Sequence, residues 1–382
     1  MTEEIKGFRD ISGEEALKRE KIKQLLVKKF KSYGFMPAET PIIEYEEFVR
    51  GNQNEEAISD IFKLKDKGNR NLALRYEFTF QLKRLAKNKK LPYRRYQIGE
   101  VFRDEPVSSN RFRQFTQCDV DVVGSSTKDE AEILKLTSEI LNELKIDATI
   151  FINNRKLLYE ILDKQKIKDK AKVIKEIDKL DKLPEQEVKA NLKRYKAEKL
   201  LALLKKPESY FAKYKSYAEI KELKRYCSMF KVAVKFSPSL ARGLGYYNSS
   251  IFEIKSKEMK ETIIAGGSYL VNQVQSTGIS FGLDRLSQLS RVDIDKIKCI
   301  IISINQDKAS IEIAQKLRDN GISCFIMDKI SKALEYANME KIPYIIFIGS
   351  DEIKRKKFKL RDMKTGKELM LEEKEMVKKL KD

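Results

Sequence analysis

The chain has 382 residues with a hydrophobic fraction of 41%, enough for two or three domains that each bury a core. Its formal net charge of +20 favours a polyanionic partner, most simply nucleic acid, although a lysine-rich proteome would produce the same excess. The absence of histidine excludes a Ser-His-Asp triad and histidine metal ligands, and the absence of a membrane-length apolar run or a signal-peptide pattern leads us to expect a cytoplasmic protein.

The first predicted element is an amphipathic helix over residues 14–33. Apolar side chains recur there at helical spacing, Ser12 is a possible N-terminal cap, and Gly34 is a typical stop. An extended segment follows, in which Pro41 stands where a strand or an interface segment tolerates a missing backbone donor.

A polar pair follows a short strand predicted over residues 61–65. Glu77 and Thr79 lie two residues apart, so on a strand they would share a face. There they could hold an ammonium group, with one residue supplying the charge and the other an acceptor, or they could stand on a solvated edge. The basic run over residues 80–87 is helical in pattern.

Residues 93–124 predict a hairpin of two long strands, the first reaching about Glu105 and the second starting near Arg111. Arg103 and Glu105 share a face of the first strand. Alternation gives the second strand an apolar face, with Thr116, Cys118, Val120 and Val122, and a polar face, with Phe115, Gln117, Asp119 and Asp121. A solvated edge hairpin would show the same alternation. We nevertheless predict the floor of a site, because arginine can pair with phosphate and Phe115 can stack on a base.

A helix over residues 128–144 and a strand over residues 148–154 precede a long lysine-rich block. This block is helical in pattern from residue 156 to residue 226, and Pro184 and Pro207 divide it. We interpret it as an inserted helical subdomain with a basic surface. Such a run of charges is most commonly a surface exposed to solvent. The alternative and more specific hypothesis is that it contacts a nucleic-acid backbone.

Mixed strand and helix patterns return at Val232. Arg242 lies between two small-residue turns, and Gly266 and Gly267 follow a short apolar strand, where a backbone could approach a ligand closely. Arg285 lies near the start of a helix, where its simplest interpretation is a surface charge.

The last part of the chain has a different pattern. After a charged linker over residues 291–298, strands alternate with helices over residues 299–382. This alternation predicts a separate α/β domain with a parallel-containing sheet.

Several segments together resemble one family. GFRDISGEEALKREKI and YGFMPAETPIIE are similar to the N-terminal helix and motif 1 of class II histidyl-tRNA synthetases, GEVFRDE and RFRQFTQCDVDVVG to motif 2, and GISFGLDRL to motif 3. LRYEFT, INNRKLL, ARGLGYY and IIAGGSYL resemble further segments of that family, and the last domain resembles its anticodon-binding domain. The resemblance is specific because it covers nearly the whole chain and its segments occur in the family's order.

The resemblance implies a fold and a reaction. It implies an α+β catalytic domain over residues 1–290, built on an antiparallel sheet with a helical insertion at about 156–228, and an α/β anticodon-binding domain over residues 299–382. ATP with Mg²⁺ would activate histidine as an adenylate, and the acyl group would then pass to the tRNA that accepts histidine. Motif 1 would form a homodimer.

The resemblance also implies roles for individual residues. The catalytic residues would be Arg103 and Arg242 at the α-phosphate and Arg285 at the γ-phosphate. ATP would be bound by Arg103, Glu105, Arg111, Arg113, Phe115 and Arg285, with Glu105 and Phe115 at the adenine. Histidine would be bound by Glu77, Thr79, Gln117, Asp121, Arg242, Tyr246 and Tyr247, the first three at its ammonium group and Asp121 and Tyr247 at its imidazole. Mg²⁺ would bridge phosphate oxygens, and no side-chain metal ligand is assigned.

The chain departs from the family pattern at four positions. Asp121 stands where the family more often has Glu, Gly245 where it has Asp, and Ser268 and Leu270 where it has Arg and Asp. Three alternatives are a histidine-sensing regulatory subunit of ATP phosphoribosyltransferase, a tRNA-sensing module of the stress-kinase kind, and a class II synthetase for another amino acid. The C-terminal domain argues against the first, the absence of a kinase segment against the second, and the pairing of ARGLGYY with INNRKLL against the third.

Overall fold

The computed structural model describes residues 3–51, 59–242 and 246–381 of the chain. The chain divides into two compact units, Met1–Asp293 and Ile294–Asp382. Among the described helices, none combines the length and the apolar character needed to cross a membrane.

Two sheets are present in the first unit. Its strands are β1 (Met36–Pro37), β2 (Ile43–Tyr45), β3 (Lys63–Lys65), β4 (Asn71–Leu74), β5 (Tyr93–Phe102), β6 (Gln114–Val123), β7 (Ala148–Asn154), β8 (Lys235–Phe236), β9 (Tyr247–Ser256), β10 (Ile264–Val271) and β11 (Val274–Gly282). The large sheet has the order β1-β5-β6-β11-β10-β9-β7-β8, and β2, β4 and β3 form the small one. Pairing in the large sheet is antiparallel except where β1 meets β5 and β7 meets β8.

The helices of the first unit pack against both sheets and against one another. They are α1 (Gly13–Ser32), α2 (Glu46–Arg50), α3 (Thr79–Leu85), α4 (Thr127–Glu143), α5 (Arg155–Lys164), α6 (Lys170–Asp178), α7 (Glu185–Lys193), α8 (Leu200–Leu204), α9 (Tyr217–Met229) and α10 (Leu283–Leu289). Helices α5 to α9 occupy the chain between β7 and β8, so the lysine-rich block is helical as its pattern predicts. Ser12 stands at the cap position of α1, but its side chain makes no capping hydrogen bond.

One face of β6 belongs to the hydrophobic core. Cys118, Val120 and Val122 are buried there and belong to the same apolar cluster as Ile22 and Leu26 of α1. Because side chains alternate along a strand, the polar residues of β6 project from the opposite face. The predicted division of this strand into an apolar and a polar face is therefore confirmed.

The hairpin of β5 and β6 has a longer loop than predicted. Strand β5 ends at Phe102 and β6 begins at Gln114, so Glu105 and Arg111 both lie in the loop. The physical reason is that the backbone N–H of Arg113 donates to the carbonyl of Gly7 at 2.9 Å, outside the hairpin ladder.

The strand predicted for Glu77 and Thr79 is wrong. Strand β4 ends at Leu74, and Thr79 is the first residue of α3. The chain leaves the small sheet at Arg75, whose carbonyl accepts a hydrogen bond from the N–H of Phe102 on the large sheet at 3.1 Å. The two side chains therefore come together through a strand-to-helix turn.

Gly266 and Gly267 lie inside β10, where we had predicted that they follow a strand. Both residues pair with β9 on one side and β11 on the other. A Cβ atom on Gly267 would lie 2.8 Å from the ring of Tyr247, and the φ angle of Gly267 is +155°. The absence of a side chain thus allows close packing of neighbouring strands.

The second unit has its own five-stranded sheet. Its strands are β12 (Cys299–Ser303), β13 (Cys324–Met327), β14 (Tyr344–Ile348), β15 (Phe358–Asp362) and β16 (Glu368–Leu371), in the order β13-β12-β14-β15-β16. Its helices are α11 (Asp307–Asp319), α12 (Ile330–Met339), α13 (Ser350–Arg355), which the sequence pattern had not indicated, and α14 (Glu373–Lys381). The first three strands pair in parallel, and separate apolar clusters lie against the sheet. The predicted fold class, an antiparallel α+β unit followed by an α/β unit, is confirmed.

Candidate active site

A cavity of about 160 Å³ lies over the polar face of β6. Its walls come from β6, β9, β10, β11, the turn before α3 and the start of α10. Ten of the residues predicted from the sequence line it: Glu77, Thr79, Arg103, Phe115, Gln117, Asp121, Arg242, Tyr246, Tyr247 and Arg285. Residues that are as much as 208 positions apart in the chain (Glu77 to Arg285) are therefore brought to one site.

Three predicted residues do not line this cavity in the described part of the chain: Glu105, Arg111 and Arg113. Arg111 forms an ion pair with Glu105 at 3.1 Å, and Arg113 forms one with Asp104 at 3.0 Å. Glu105 and Arg111 nevertheless lie close enough to Arg285 to influence its pKa. Glu105 and Arg111 therefore belong to a loop that lies beside Arg285.

The walls also contain residues that we had not assigned to the site. Asp119 and Ser280 line the cavity from β6 and β11, and Tyr269 lines it from β10. The alternation of side chains along β6 places Asp119 on the polar face, so the sequence does indicate that this residue faces the site. Ser280 and Tyr269 had no such signal, because their approach to the site depends on which strands are neighbours in the sheet.

One end of the cavity is rich in cations. The guanidinium of Arg103 lies 4.3 Å from the ring centroid of Tyr76 and 5.1 Å from that of Phe115. Nη1 of Arg285 donates to the carbonyl of Thr262 at 2.6 Å. Burial lowers the pKa of Arg285, and the nearby positive charges of Arg111 and Arg103 lower it further. Clustered, partly desolvated arginines favour a ligand with several negative charges.

Arg242 is placed in the cavity by side chains at the end of β7 and the start of α5. Nη1 of Arg155 donates to the carbonyls of Ala241 and Arg242 at 2.9 and 3.0 Å, and Nδ2 of Asn153 donates to the carbonyl of Leu240 at 2.8 Å. Arg242 has a φ angle of +48°, which is uncommon for a residue with a side chain. Its Nη1 lies 3.3 Å from Oε1 of Glu253, while its Nε has no hydrogen-bond partner among the described residues.

The other end of the cavity has three buried carboxyl groups, those of Glu77, Asp119 and Asp121. Burial raises the pKa of Glu77 to about 7, and the opposing effect of Arg103 only partly offsets this. Burial and the adjacent charge of Asp121 raise the pKa of Asp119 to about 7. The pKa of Asp121 is also raised by burial, against the opposing effects of Arg95 and Tyr269.

Unpaired acceptors are concentrated at this acidic end. Within the described residues, Oε1 of Glu77, Oε1 of Gln117, Oδ1 of Asp119 and Oδ2 of Asp121 are buried without a hydrogen-bond partner, although Oδ2 of Asp121 forms an ion pair with Arg95. A buried acceptor without a donor is costly, so these oxygens favour a ligand that brings N–H groups and positive charge. The cavity therefore matches a molecule that is anionic at one end and rich in donors at the other.

Of the four substituted family positions, Asp121 lines the cavity, whereas Ser268 and Leu270 lie outside its walls. Ser268 is buried, and its Oγ donates to Oε1 of Glu130. Leu270 is 50% exposed. Gly245 lies outside the described residues.

Comparison with known proteins gives the family. A family model described as Histidyl-tRNA synthetase matches residues 7–286, and one described as Anticodon binding domain matches residues 298–382. A curated protein of Bacillus cereus named Histidine--tRNA ligase 1 is 34% identical, over 96% of this chain and 94% of its own length.

Two solved structures have the same fold. The histidyl-tRNA synthetase from Nostoc sp. PCC 7120 superposes with a TM-score of 0.85 at 24% identity, covering 100% of this chain and 99% of that one. A Bacillus halodurans structure titled ATP phosphoribosyltransferase regulatory subunit/histidyl-tRNA synthetase has a TM-score of 0.78 at 20% identity, covering 91% and 98%. The match of the family model over residues 7–286 and the identity to the B. cereus protein are decisive: the chain belongs to the histidyl-tRNA synthetase family.

Proposed function

We propose that the protein attaches histidine to its tRNA in two steps, through a histidyl-adenylate made from histidine and ATP. The observation that supports this most directly is the polarity of one cavity, with arginines at one end and unpaired buried acceptors at the other. ATP matches the cationic end, and the ammonium and ring N–H of histidine match the acceptors. A purely histidine-sensing regulatory subunit would require neither these arginines nor the anticodon-binding domain over residues 298–382.

The nucleotide would occupy the arginine-rich end. Phe115 would stack on the adenine, and Glu105, with Arg111 and Arg113 in the same loop, would contact the adenine and phosphates. Arg285 would hold the γ-phosphate. Arg103, whose guanidinium already lies near Phe115, would reach the α-phosphate.

Histidine would occupy the acidic end. Glu77 and Thr79 at the turn before α3, with Gln117 of β6, would hold the ammonium group. Asp121 and Tyr247 would lie at the imidazole end, and the ring of Tyr246 would pack beside them, since its centroid is 4.8 Å from that of Tyr247. Each of these side chains lines the cavity.

The first step is attack by a carboxylate oxygen of histidine on the α-phosphorus of ATP, with pyrophosphate as the leaving group. The carboxylate is already ionised at neutral pH, so no general base is required, and the absence of histidine from the chain is no obstacle. Arg103 and Arg242 would stabilise the negative charge that develops on the α-phosphate oxygens. In the second step a ribose hydroxyl of the tRNA would attack the acyl carbon and release AMP.

Mg²⁺ would be held chiefly by the phosphates. The described residues contain no group of three or more His, Cys, Asp or Glu side chains that could hold a metal ion. Mg²⁺ does not need such a cluster, because it is usually bound through substrate phosphate oxygens, water and only one or two carboxylates. When bound, Mg²⁺ would neutralise phosphate charge during the displacement.

A homodimer and a tRNA complex complete the proposal. Large apolar side chains are exposed along the motif 1 segment: Met36 is 66%, Ile42 43%, Ile43 48% and Tyr45 58% exposed. Contiguous exposed apolar residues are typical of a subunit interface, and light scattering should give a dimer mass. The basic insertion at about 156–228 and the anticodon-binding domain over residues 299–382 would each contact the tRNA.

ATP–pyrophosphate exchange with each of the twenty amino acids tests the first step. Exchange with histidine alone is the expected result. If no amino acid supports exchange while histidine still binds, the protein is a sensing or regulatory member of the family and the proposed activity is wrong.

A further inference from the structure

Glu253 of β9 is a buried carboxylate beside Arg242. The residue is 4% exposed, and its Oε1 accepts hydrogen bonds from Nη1 of Arg242 at 3.3 Å and from the hydroxyl of Thr262. Its Oε2 makes no hydrogen bond among the described residues but forms an ion pair with Nζ of Lys255 at 3.1 Å. Each oxygen of this carboxylate therefore lies against a cation.

Thr262 connects Glu253 to a second arginine of the cavity. While its hydroxyl donates to Glu253, its backbone carbonyl accepts from Nη1 of Arg285 at 2.6 Å. Arg242 precedes β9 and Arg285 lies in α10, so the two arginines come from separate parts of the chain. Both are nevertheless connected to one carboxylate, Arg242 directly and Arg285 through a single residue.

The charge of Glu253 strengthens these contacts. Burial alone would raise the pKa of its carboxyl group, but the charge of Arg242 and the hydrogen bond from Thr262 outweigh burial, and the pKa lies below its usual value. Glu253 is therefore ionised at neutral pH. Because a hydrogen bond to an ionised acceptor is stronger than one to a neutral acceptor, the flexible side chain of Arg242 is restrained on the side that faces Glu253.

Glu253 itself lies behind the wall of the active-site cavity, as far as the structure describes that wall. It lines a separate cavity of about 70 Å³, together with Asp178 and Asp181 of the insertion. Nζ of Lys255 also forms an ion pair with Asp181 at 2.7 Å. Since Glu253 is held from this second side, it acts on a ligand of the active site only through its neighbours.

We propose that Glu253 is a positioning residue for adenylate formation, which holds the guanidinium of Arg242 and, through Thr262, that of Arg285 in place for the phosphates of ATP. This inference rests on the function proposed above. Arg242 keeps donors for a phosphate, because a guanidinium has several N–H groups and its Nε has no partner among the described residues. Donors that are already in place need no reorganisation when negative charge develops.

The first test is ATP–pyrophosphate exchange in Glu253→Gln, which keeps the size of the side chain and removes its charge. We expect kcat to fall about 10- to 100-fold, because poorly oriented arginines stabilise the transition state less. The matched control is Glu258→Gln, which breaks an exposed ion pair with Arg291 and should keep kcat within about twofold. A kcat of Glu253→Gln that also stays within twofold of wild type would overturn the inference.

A double-mutant cycle separates positioning from general support of the fold. If Glu253 acts mainly through Arg242, adding Glu253→Gln to Arg242→Ala should lower kcat by less than about threefold further, because the shared interaction is already lost. An equal loss in both backgrounds would mean that the two residues act independently and would contradict the proposal. If Glu253→Gln shows no cooperative thermal unfolding, Glu253→Asp, whose shorter side chain withdraws from the same partners, replaces it.

Calorimetry with ATP and adenosine keeps the test decisive if wild type shows no exchange and the proposed function fails. Glu253→Gln should weaken the binding of ATP at least about threefold and leave that of adenosine, which has no phosphates, within about twofold. Unchanged affinity for ATP, or an equal loss for both compounds, would show that Glu253 does not position the arginines.

Discussion

At the scale of single residues, the arginines of the cavity are the groups on which adenylate formation should depend most. Arg103 is held by Tyr76, whose carbonyl accepts from its Nε at 3.3 Å, and by the face of Phe115. A lysine would keep the charge but lose the planar fork of donors that matches phosphate. A lysine at position 103 therefore separates the contribution of the positive charge from that of the donor geometry.

We predict that Arg103→Lys lowers kcat for ATP–pyrophosphate exchange by about 100-fold, because a preorganised donor at the developing charge is lost. The KM for histidine should change by less than about threefold. Arg70→Lys, on an exposed arginine paired with Asp66, is the control and should retain full activity. A loss confined to the KM for histidine would place Arg103 at the amino acid and contradict the assignment.

Glu130 is a buried carboxyl group outside the cavity, and it forms no ion pair with the described residues. Ser250 donates to its Oε2 at 2.7 Å, and Ser268 donates to its Oε1. Burial raises the pKa of Glu130 to about 7 despite these hydrogen bonds. The serine that replaces the arginine of the family pattern thus contacts a glutamate that stays largely protonated below neutral pH.

This arrangement predicts a pH-dependent free energy of unfolding. Glu130 has a pKa near 4.5 when unfolded and about 7 when folded, so its contribution to stability is full below pH 4.5 and is lost as the pH rises through 7. The loss from this group amounts to about 3 kcal/mol. Glu130→Gln should therefore be more stable than wild type at pH 8 and should flatten the profile measured by urea unfolding.

Glu187→Gln, on an exposed residue of α7, is the control and should leave the unfolding profile unchanged. If Glu130→Gln and wild type lose stability in parallel between pH 5 and pH 8, Glu130 is ionised in the folded protein across that range.

At the scale of elements, close packing of β6 against β11 holds the acidic end of the cavity together. Gly278 of β11 pairs with Asp121 of β6. A Cβ atom at Gly278 would overlap Oδ1 of Asp121 and lie 2.9 Å from the hydroxyl of Tyr269. Glycine is needed here because the Asp121–Tyr269 hydrogen bond passes directly over its backbone.

We predict that Gly278→Ala raises the KM for histidine at least about 10-fold and lowers stability by about 1–3 kcal/mol, since the added methyl group displaces Asp121 or separates the strands. The KM for ATP should be much less affected. Gly68→Ala is the control, because its Cβ would have no contact closer than 3.4 Å. An unchanged KM for histidine would show that the position of Asp121 does not matter for binding.

The sequence predicted elements better than it predicted their pairing. The two faces of β6 could be predicted because a period of two separates Val120 and Val122 from the acidic residues, and burial requires that separation. The point at which the hairpin strands end could not be predicted, because the backbone N–H of Arg113 donates to the carbonyl of Gly7, which is far away in the sequence. The contacts of Asp121 with Arg95 and Tyr269 could not be predicted either, because they depend on which strands are neighbours in the sheet.

At the scale of the whole molecule, the excess of 20 positive charges is the dominant feature. Helices α5 to α9 contain many exposed lysines, among them Lys189 and Lys193, which are four residues apart and so share a face of α7. A basic surface that contacts tRNA phosphates releases counterions on binding, which makes affinity depend strongly on salt.

We predict that the affinity for tRNA falls about 1,000-fold between 50 and 200 mM salt, as expected for six or more phosphate contacts. If α7 lies on the tRNA, Lys189→Ala with Lys193→Ala should reduce the slope of log affinity against log salt by about 1.4–1.8, because each lost contact removes about 0.7–0.9. The KM for histidine, a zwitterion, should remain nearly constant over this range. Filter binding at several salt concentrations measures the slope, and a flat dependence would mean that the positive charge is only a solvated surface.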